Sequence, residues 1–145
     1  SEDYQLALGI EGPSTGSEGE VSATDSFKQM ICRVAERYDN PTVYANTLRQ
    51  VESVGRHQWG ALLHVGDNWY VEEPRAIDVL DRIGGGDGFV GGLLYGILKD
   101  WREEEWLQFG WACGAMAVTM NEDFAWPVDE AQVWEVYSGN ARVKR

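Results

Sequence analysis

The residues best equipped for chemistry lie in one stretch, Asp81-Arg82-Ile83-Gly84-Gly85-Gly86-Asp87-Gly88-Phe89-Val90-Gly91-Gly92. Glycines accept positive φ and leave no Cβ over the backbone, so consecutive N–H groups can converge on one set of phosphate oxygens. A helix through the apolar residues that follow would add its positive end at the same point. Asp87 is the odd member. A carboxylate at a helix start normally caps the helix, yet beside a cradle for phosphates it repels the ligand, which is tolerable if it takes a proton from an attacking hydroxyl. The chemistry this points to is phosphoryl transfer.

Two other glycine patterns are tested by what surrounds them. Gly86-Asp87-Gly88-Phe89-Val90-Gly91 satisfies the GxGxxG spacing of dinucleotide folds, but that pattern needs a second strand after the helix, ending in an acidic residue. Here Arg102-Glu103-Glu104-Glu105 and a second helical segment follow instead. A P-loop would need a Lys-Ser or Lys-Thr pair after the glycines, and none is there.

In order and spacing, residues 81 to 92 resemble the C-terminal signature of the ribokinase-like (PfkB) sugar kinases, most closely their 2-keto-3-deoxygluconate kinase branch. The resemblance implies an anion hole at Gly84, Gly85 and Gly86, with Asp87 as catalytic base. It implies MgATP as phosphoryl donor, with Mg2+ held mainly by phosphate oxygens and water, and the primary hydroxyl of a sugar acid as acceptor. Asp81 and the carbonyl of Ile83 would help form a monovalent cation site for K+. Thr47-Leu48-Arg49 resembles the strand end that meets the nucleotide phosphates in this branch, so Arg49 is read either as a phosphate fork or as a solvated arginine. Adenine is expected between the helix after the signature and the loop from Thr119 to Pro127, which puts Asn121 and Asp123 among the nucleotide contacts. A polar loop before a helix capped by Asp129 is the alternative account of that loop.

Composition sets the outer limits. The chain has 145 residues, and 24 acidic against 12 basic side chains give a net charge of −12. That balance argues against nucleic acid or an anionic membrane as partner, so a phosphate ligand must be held by local groups. Cys32 and Cys113 read as reduced thiols in a cytoplasmic protein. Ribokinase-like kinases are considerably longer, with the sugar-binding residues and the lid mostly in the N-terminal half. Residues 1–145 are therefore read as a single C-terminal, nucleotide-binding part of a larger kinase. The sugar acid would bind through the half that is missing, and the full-length enzyme could be a homo-oligomer. A non-catalytic nucleotide-binding or interaction module is the alternative.

The elements that must position the cradle read as α/β, the C-terminal half of a ribokinase-like fold, with a mostly parallel sheet covered by helices and a peripheral hairpin. Residues 1 to 9 suggest a short helix and Gly9 to Thr24 an exposed loop. Phe27, Met30, Ile31, Val34 and Tyr38 recur at helical spacing over Asp25 to Tyr38. Thr42 to Leu48 reads as a buried parallel strand. Trp59 to Val65 and Trp69 to Glu72 flank Gly66-Asp67-Asn68 as a hairpin, with His57 in a loop before it. Ala76 to Leu80 is a short strand that delivers Asp81. Phe89, Val90, Leu93, Leu94, Ile97, Leu98 and Trp101 give a deeply packed helix. Trp106 to Val118 gives the next, whose small residues leave room for a flat adenine. The helix from Asp129 ends at Gly139-Asn140, before the basic tail Arg142 to Arg145.

Overall fold

A computed structural model of the chain describes residues 6–10, 23–121 and 125–139. Residues 1–5 of the expected first helix, Asp123 and the basic tail lie outside them. The described elements run α1 (Ala23–Arg37), β1 (Val43–Ser53), β2 (Arg56–Val65), β3 (Asn68–Asp78), α2 (Gly85–Leu98), α3 (Glu103–Val118) and α4 (Glu130–Tyr137).

The strands form one three-stranded sheet in the order β1-β2-β3, and both pairings are antiparallel. This corrects the parallel strand expected over Thr42 to Leu48. The physical reason is the linkers: Val54-Gly55 and Gly66-Asp67 are tight turns that return the chain beside itself, whereas a parallel pair needs a long crossover. The Ala76 to Leu80 segment is likewise no separate strand, since its first residues are the far end of β3. The hairpin is not peripheral either. β2 is the central strand, and Ala61, Leu62 and Leu63 are all fully buried because both faces of the sheet are covered.

One face carries Leu62 against Met30, Ile31 and Val34 of α1. The other carries Trp59, Ala61 and Leu63 against Phe89, Leu107, Trp111, Ala115 and Val133. Period-2 alternation along β2 and 3.6-residue spacing along the helices thus meet in two apolar layers. Opposite Gly60, β3 is irregular between Glu72 and Arg75. Pro74 lies there, where an edge strand tolerates a residue that cannot donate.

The helices are pinned by specific contacts. The indoles of Trp59 and Trp111 donate reciprocally to each other's carbonyls, at 3.2 and 2.8 Å. The Arg75 guanidinium lies 3.7 Å from the Trp111 ring centre and 4.7 Å from that of Tyr137, and it donates to the Tyr137 carbonyl at 2.7 Å. Those contacts tie α4 to the sheet. Trp101, Phe109, Trp134 and Tyr95 complete an aromatic cluster, so these tryptophans serve packing. At the start of α4, Asp129 caps by accepting from Gln132 N–H at 2.9 Å. Among the described residues no helix is long and apolar enough to cross a membrane.

Candidate active site

The glycine turn opens α2. Gly84 precedes the helix at φ 80°, a left-handed conformation that explains a glycine there. The first intrahelical bond runs from Gly88 N–H to the Gly84 carbonyl at 2.8 Å. The amides of Gly85, Gly86 and Asp87 precede that bond, so by helix geometry they have no acceptor within α2. A Cβ on Gly86 would meet nothing within 4 Å, so this part of the turn has an open face. Asp87 is exposed in the first turn of the helix. Unpaired amides, a positive helix end and one accessible carboxylate therefore occupy the same point.

Gly85 does a different job. A Cβ there would lie 2.7 Å from Val118 Cγ1 and 3.4 Å from the Trp59 ring, so its bare Cα faces the core. The contact belongs to a backbone seam between α2 and α3. A Cβ on Gly88 would lie 2.9 Å from the Cys113 carbonyl, one on Gly92 2.9 Å from Gly110 Cα, and one on Gly114 2.8 Å from the Gly85 carbonyl. The glycines of α3 therefore admit α2. The burial expected of α2 is corrected. Phe89 and Leu93 are buried, but Val90, Leu94 and Leu98 are 51, 50 and 85 % exposed.

Upstream of the turn, the Leu80 and Asp81 N–H groups donate to the Val118 carbonyl at 2.9 and 3.3 Å, which fixes this segment beside the end of α3. The Asp81 carboxylate accepts from Ile83 N–H at 2.9 Å and so shapes the entry to the glycines. Asp81 also lines a groove of about 380 Å3 with Arg49, Val51, Val54, His57, Val79, Leu80 and Arg82. Arg49 and Asp81, expected from separate parts of the sequence, are thus brought together. Asn121 lies three residues beyond Val118 and is exposed. A second cavity, of about 320 Å3, lies between Gly91, Gly92 and Tyr95 of α2, Phe109 and Cys113 of α3, and Pro127 to Val133. Burial pushes the Cys113 thiol up to about 11, so it is no nucleophile at neutral pH.

Two groove residues were not singled out from sequence. Arg82 lies inside the glycine-rich stretch itself. His57 is in β2, not in a loop, and is 5 % exposed. The signal was available, because His57, Trp59, Ala61 and Leu63 alternate on one face. Burial, and then the nearby Arg49 guanidinium, hold the His57 imidazole below its ordinary value of 6.5.

Comparison with known proteins bears on the same segment. The model of the pfkB family carbohydrate kinases matches residues 59–124, from the centre of β2 through the glycine turn and the α2–α3 seam. The likeness to the pfkB carbohydrate kinases in sequence is thus carried by residues 59–124. The 1-phosphofructokinase of Escherichia coli is 36 % identical over 62 residues, covering 43 % of this chain and 20 % of that protein. The 5-dehydro-2-deoxygluconokinase of Clostridium tetani is 27 % identical over 117 residues, covering 81 % of this chain and 29 % of that one. The chain therefore spans less than a third of the length of these curated relatives.

Solved structures extend the likeness to nearly the whole chain. The 2-dehydro-3-deoxygluconokinase of Thermotoga maritima superposes with a TM-score of 0.80 at 24 % identity, over 95 % of this chain and 40 % of that one. A PfkB family carbohydrate kinase of Listeria grayi gives 0.71 at 27 % identity, over 94 % and 39 %. The antiparallel sheet and its helices are thus a recurring part of the pfkB fold.

Proposed function

We propose that this chain is the nucleotide-binding part of an ATP-dependent carbohydrate kinase. The reaction is transfer of the terminal phosphoryl group of MgATP to the primary hydroxyl of 2-keto-3-deoxygluconate or a related sugar acid. The observation that carries this reading is the turn at Gly84 to Asp87, where unpaired helix-start amides and an exposed carboxylate share one point. Amides of Gly84, Gly85 and Gly86 stabilise the charge that builds on the equatorial phosphoryl oxygens. Asp87 accepts the proton of the attacking hydroxyl as the new O–P bond forms and the bond to the ADP leaving group breaks. Arg49 and Arg82 neutralise the remaining phosphates from the adjoining groove. Asn121, exposed just past the end of α3, and Asp123 are the residues assigned to the base.

Among the described residues no three His, Cys, Asp or Glu side chains converge as a metal cage. Mg2+ would accordingly be held mainly by phosphate oxygens and water, where it would supply charge neutralisation. Asp81 retains acceptor capacity beyond its bond to Ile83, which suits a carboxylate-and-carbonyl site for K+.

Calorimetry with ADP tests the binding half of this reading. The chain should bind ADP in roughly the high-micromolar to millimolar range of a partly organised site. Asp87→Asn, which removes a repelling charge, should hold or improve that affinity. In the enzyme that carries this chain in its natural context, the same change should lower kcat by roughly 10²- to 10⁴-fold. Near-normal kcat in a folded Asp87→Asn enzyme would leave Asp87 a helix-start residue only.

A further inference from the structure

We propose that His57 is a phosphate-binding residue, forming with Arg49 and Arg82 the anion-holding part of the groove beside the glycine turn. The inference rests on the nucleotide reading above and adds to it a residue that lies outside the glycine turn.

His57 is 5 % exposed yet lines the groove. Among the described residues its ring makes no side-chain hydrogen bond. Its ring is therefore left to whatever the groove receives. Its cross-strand neighbours, Val51 on β1 and Ile77 on β3, are apolar and offer none. The charged groups around it are Arg49, one residue pair along the same face, and Asp81 and Arg82 on the segment leading to the turn. The Asp81 carboxylate is engaged by Ile83 N–H. Two guanidinium groups and a ring N–H thus stand against that single carboxylate, so the groove holds more donors than its own acceptors satisfy.

A phosphate group supplies the further acceptors. Its oxygens accept from both arginine forks and from one imidazole nitrogen, which a monodentate carboxylate could not do together. Continuity with the cradle follows from the strand. Trp59, two residues after His57 on the same face, packs against Gly85 at the start of α2. The groove and the helix start are therefore neighbours along one edge of the sheet. A chain of phosphates can run from the amides of Gly84 to Gly86 into the arginines.

The test uses the chain itself and follows the His57 ring signals by NMR during titration with ADP, inorganic phosphate and adenosine. ADP and phosphate should shift the His57 ring resonances and adenosine should not. His57→Ala should weaken ADP binding about tenfold, as expected for a lost hydrogen bond to a charged group, with His57→Asn restoring part of the affinity. Unchanged ADP affinity in a folded His57→Ala chain, or ring signals that ADP at saturation leaves in place, would overturn the assignment. The wild-type titration decides the matter even if the variants fail to fold. If the chain binds no ADP, the nucleotide reading fails by itself. The assignment of His57 then depends on millimolar inorganic phosphate, and an unmoved ring would refute it too.

Discussion

Replacing Gly85 and Gly86 separately by alanine should separate the core from the binding surface at adjacent positions. At Gly85 the new methyl would lie 2.7 Å from Val118 Cγ1 and 3.4 Å from the Trp59 ring, both side chains being 3 % exposed or less. Trp59 cannot swing away without giving up its reciprocal bonds with Trp111. Overpacking of this kind costs about 1–3 kcal/mol, against a gain of about 0.5–1 kcal/mol from replacing glycine in a helix. A net loss of about 1–2 kcal/mol is expected, which lowers Tm by roughly 3–6 °C at this chain length. At Gly86 the methyl meets nothing within 4 Å. Stability should hold or rise by about 0.5 kcal/mol, while the methyl intrudes where phosphate oxygens must approach, so ADP affinity should fall about tenfold. Thermal melts and calorimetry on both variants decide it. A Gly86→Ala chain that binds ADP like the wild type would show that the turn is only a helix entry and would refute the cradle.

Four other outcomes follow from the packing and the charges. Arg75→Met keeps the stem but loses the stacked guanidinium and its bond to the Tyr137 carbonyl, so urea unfolding should show a loss of about 1–2 kcal/mol; an unchanged midpoint would mean that α4 is held without it. Cys32 is exposed and should react readily with a thiol reagent at pH 8, whereas Cys113, pushed up to about 11, presents only about one thiolate in a thousand and should lag by far more than tenfold; equal rates would contradict its burial. His57 has a folded pKa below its unfolded 6.5, so its unfolded form binds more protons below that pH. Its contribution is complete above pH 6.5 and lost as pH falls through the folded value, and His57→Gln should flatten that decline in urea midpoints. Val90, Leu94 and Leu98 should bind a hydrophobic dye, and Leu94→Glu with Leu98→Glu should abolish the signal without lowering Tm.

The helices and the cradle could be read from the sequence because their signals are local. The Phe27 to Tyr38 spacing, the cap at Asp129 and the glycine run before Phe89 each determine structure within a few residues. Strand direction was not local. Thr42 to Leu48 is apolar and β-branched enough for a buried parallel strand, and its antiparallel pairing is decided by the turn at Val54-Gly55, which lacks the Asn-Gly or Asp-Gly signature. Burial of α2 was overestimated because Val90, Leu94 and Leu98 fit an apolar helix pattern whatever covers them. The groove was half visible. Arg49 and Asp81 could be named, but His57, which lines the groove with them, has nothing at its own position to distinguish it from a packed histidine.

The seam of Gly88, Gly92, Gly110 and Gly114 joins α2 and α3 backbone to backbone. A layer of leucines between two helices can repack through alternative rotamers, letting one helix slide against the other at modest cost. A seam of bare glycine backbone against backbone and a few close-fitting side chains has no such adjustable layer, so the helix start at Gly84 to Asp87 is held at a set height relative to α3 and, through Trp59, to the sheet. Selection for other properties can then rework the exposed apolar side of α2 freely, residue by residue, without changing the height at which it presents its amides.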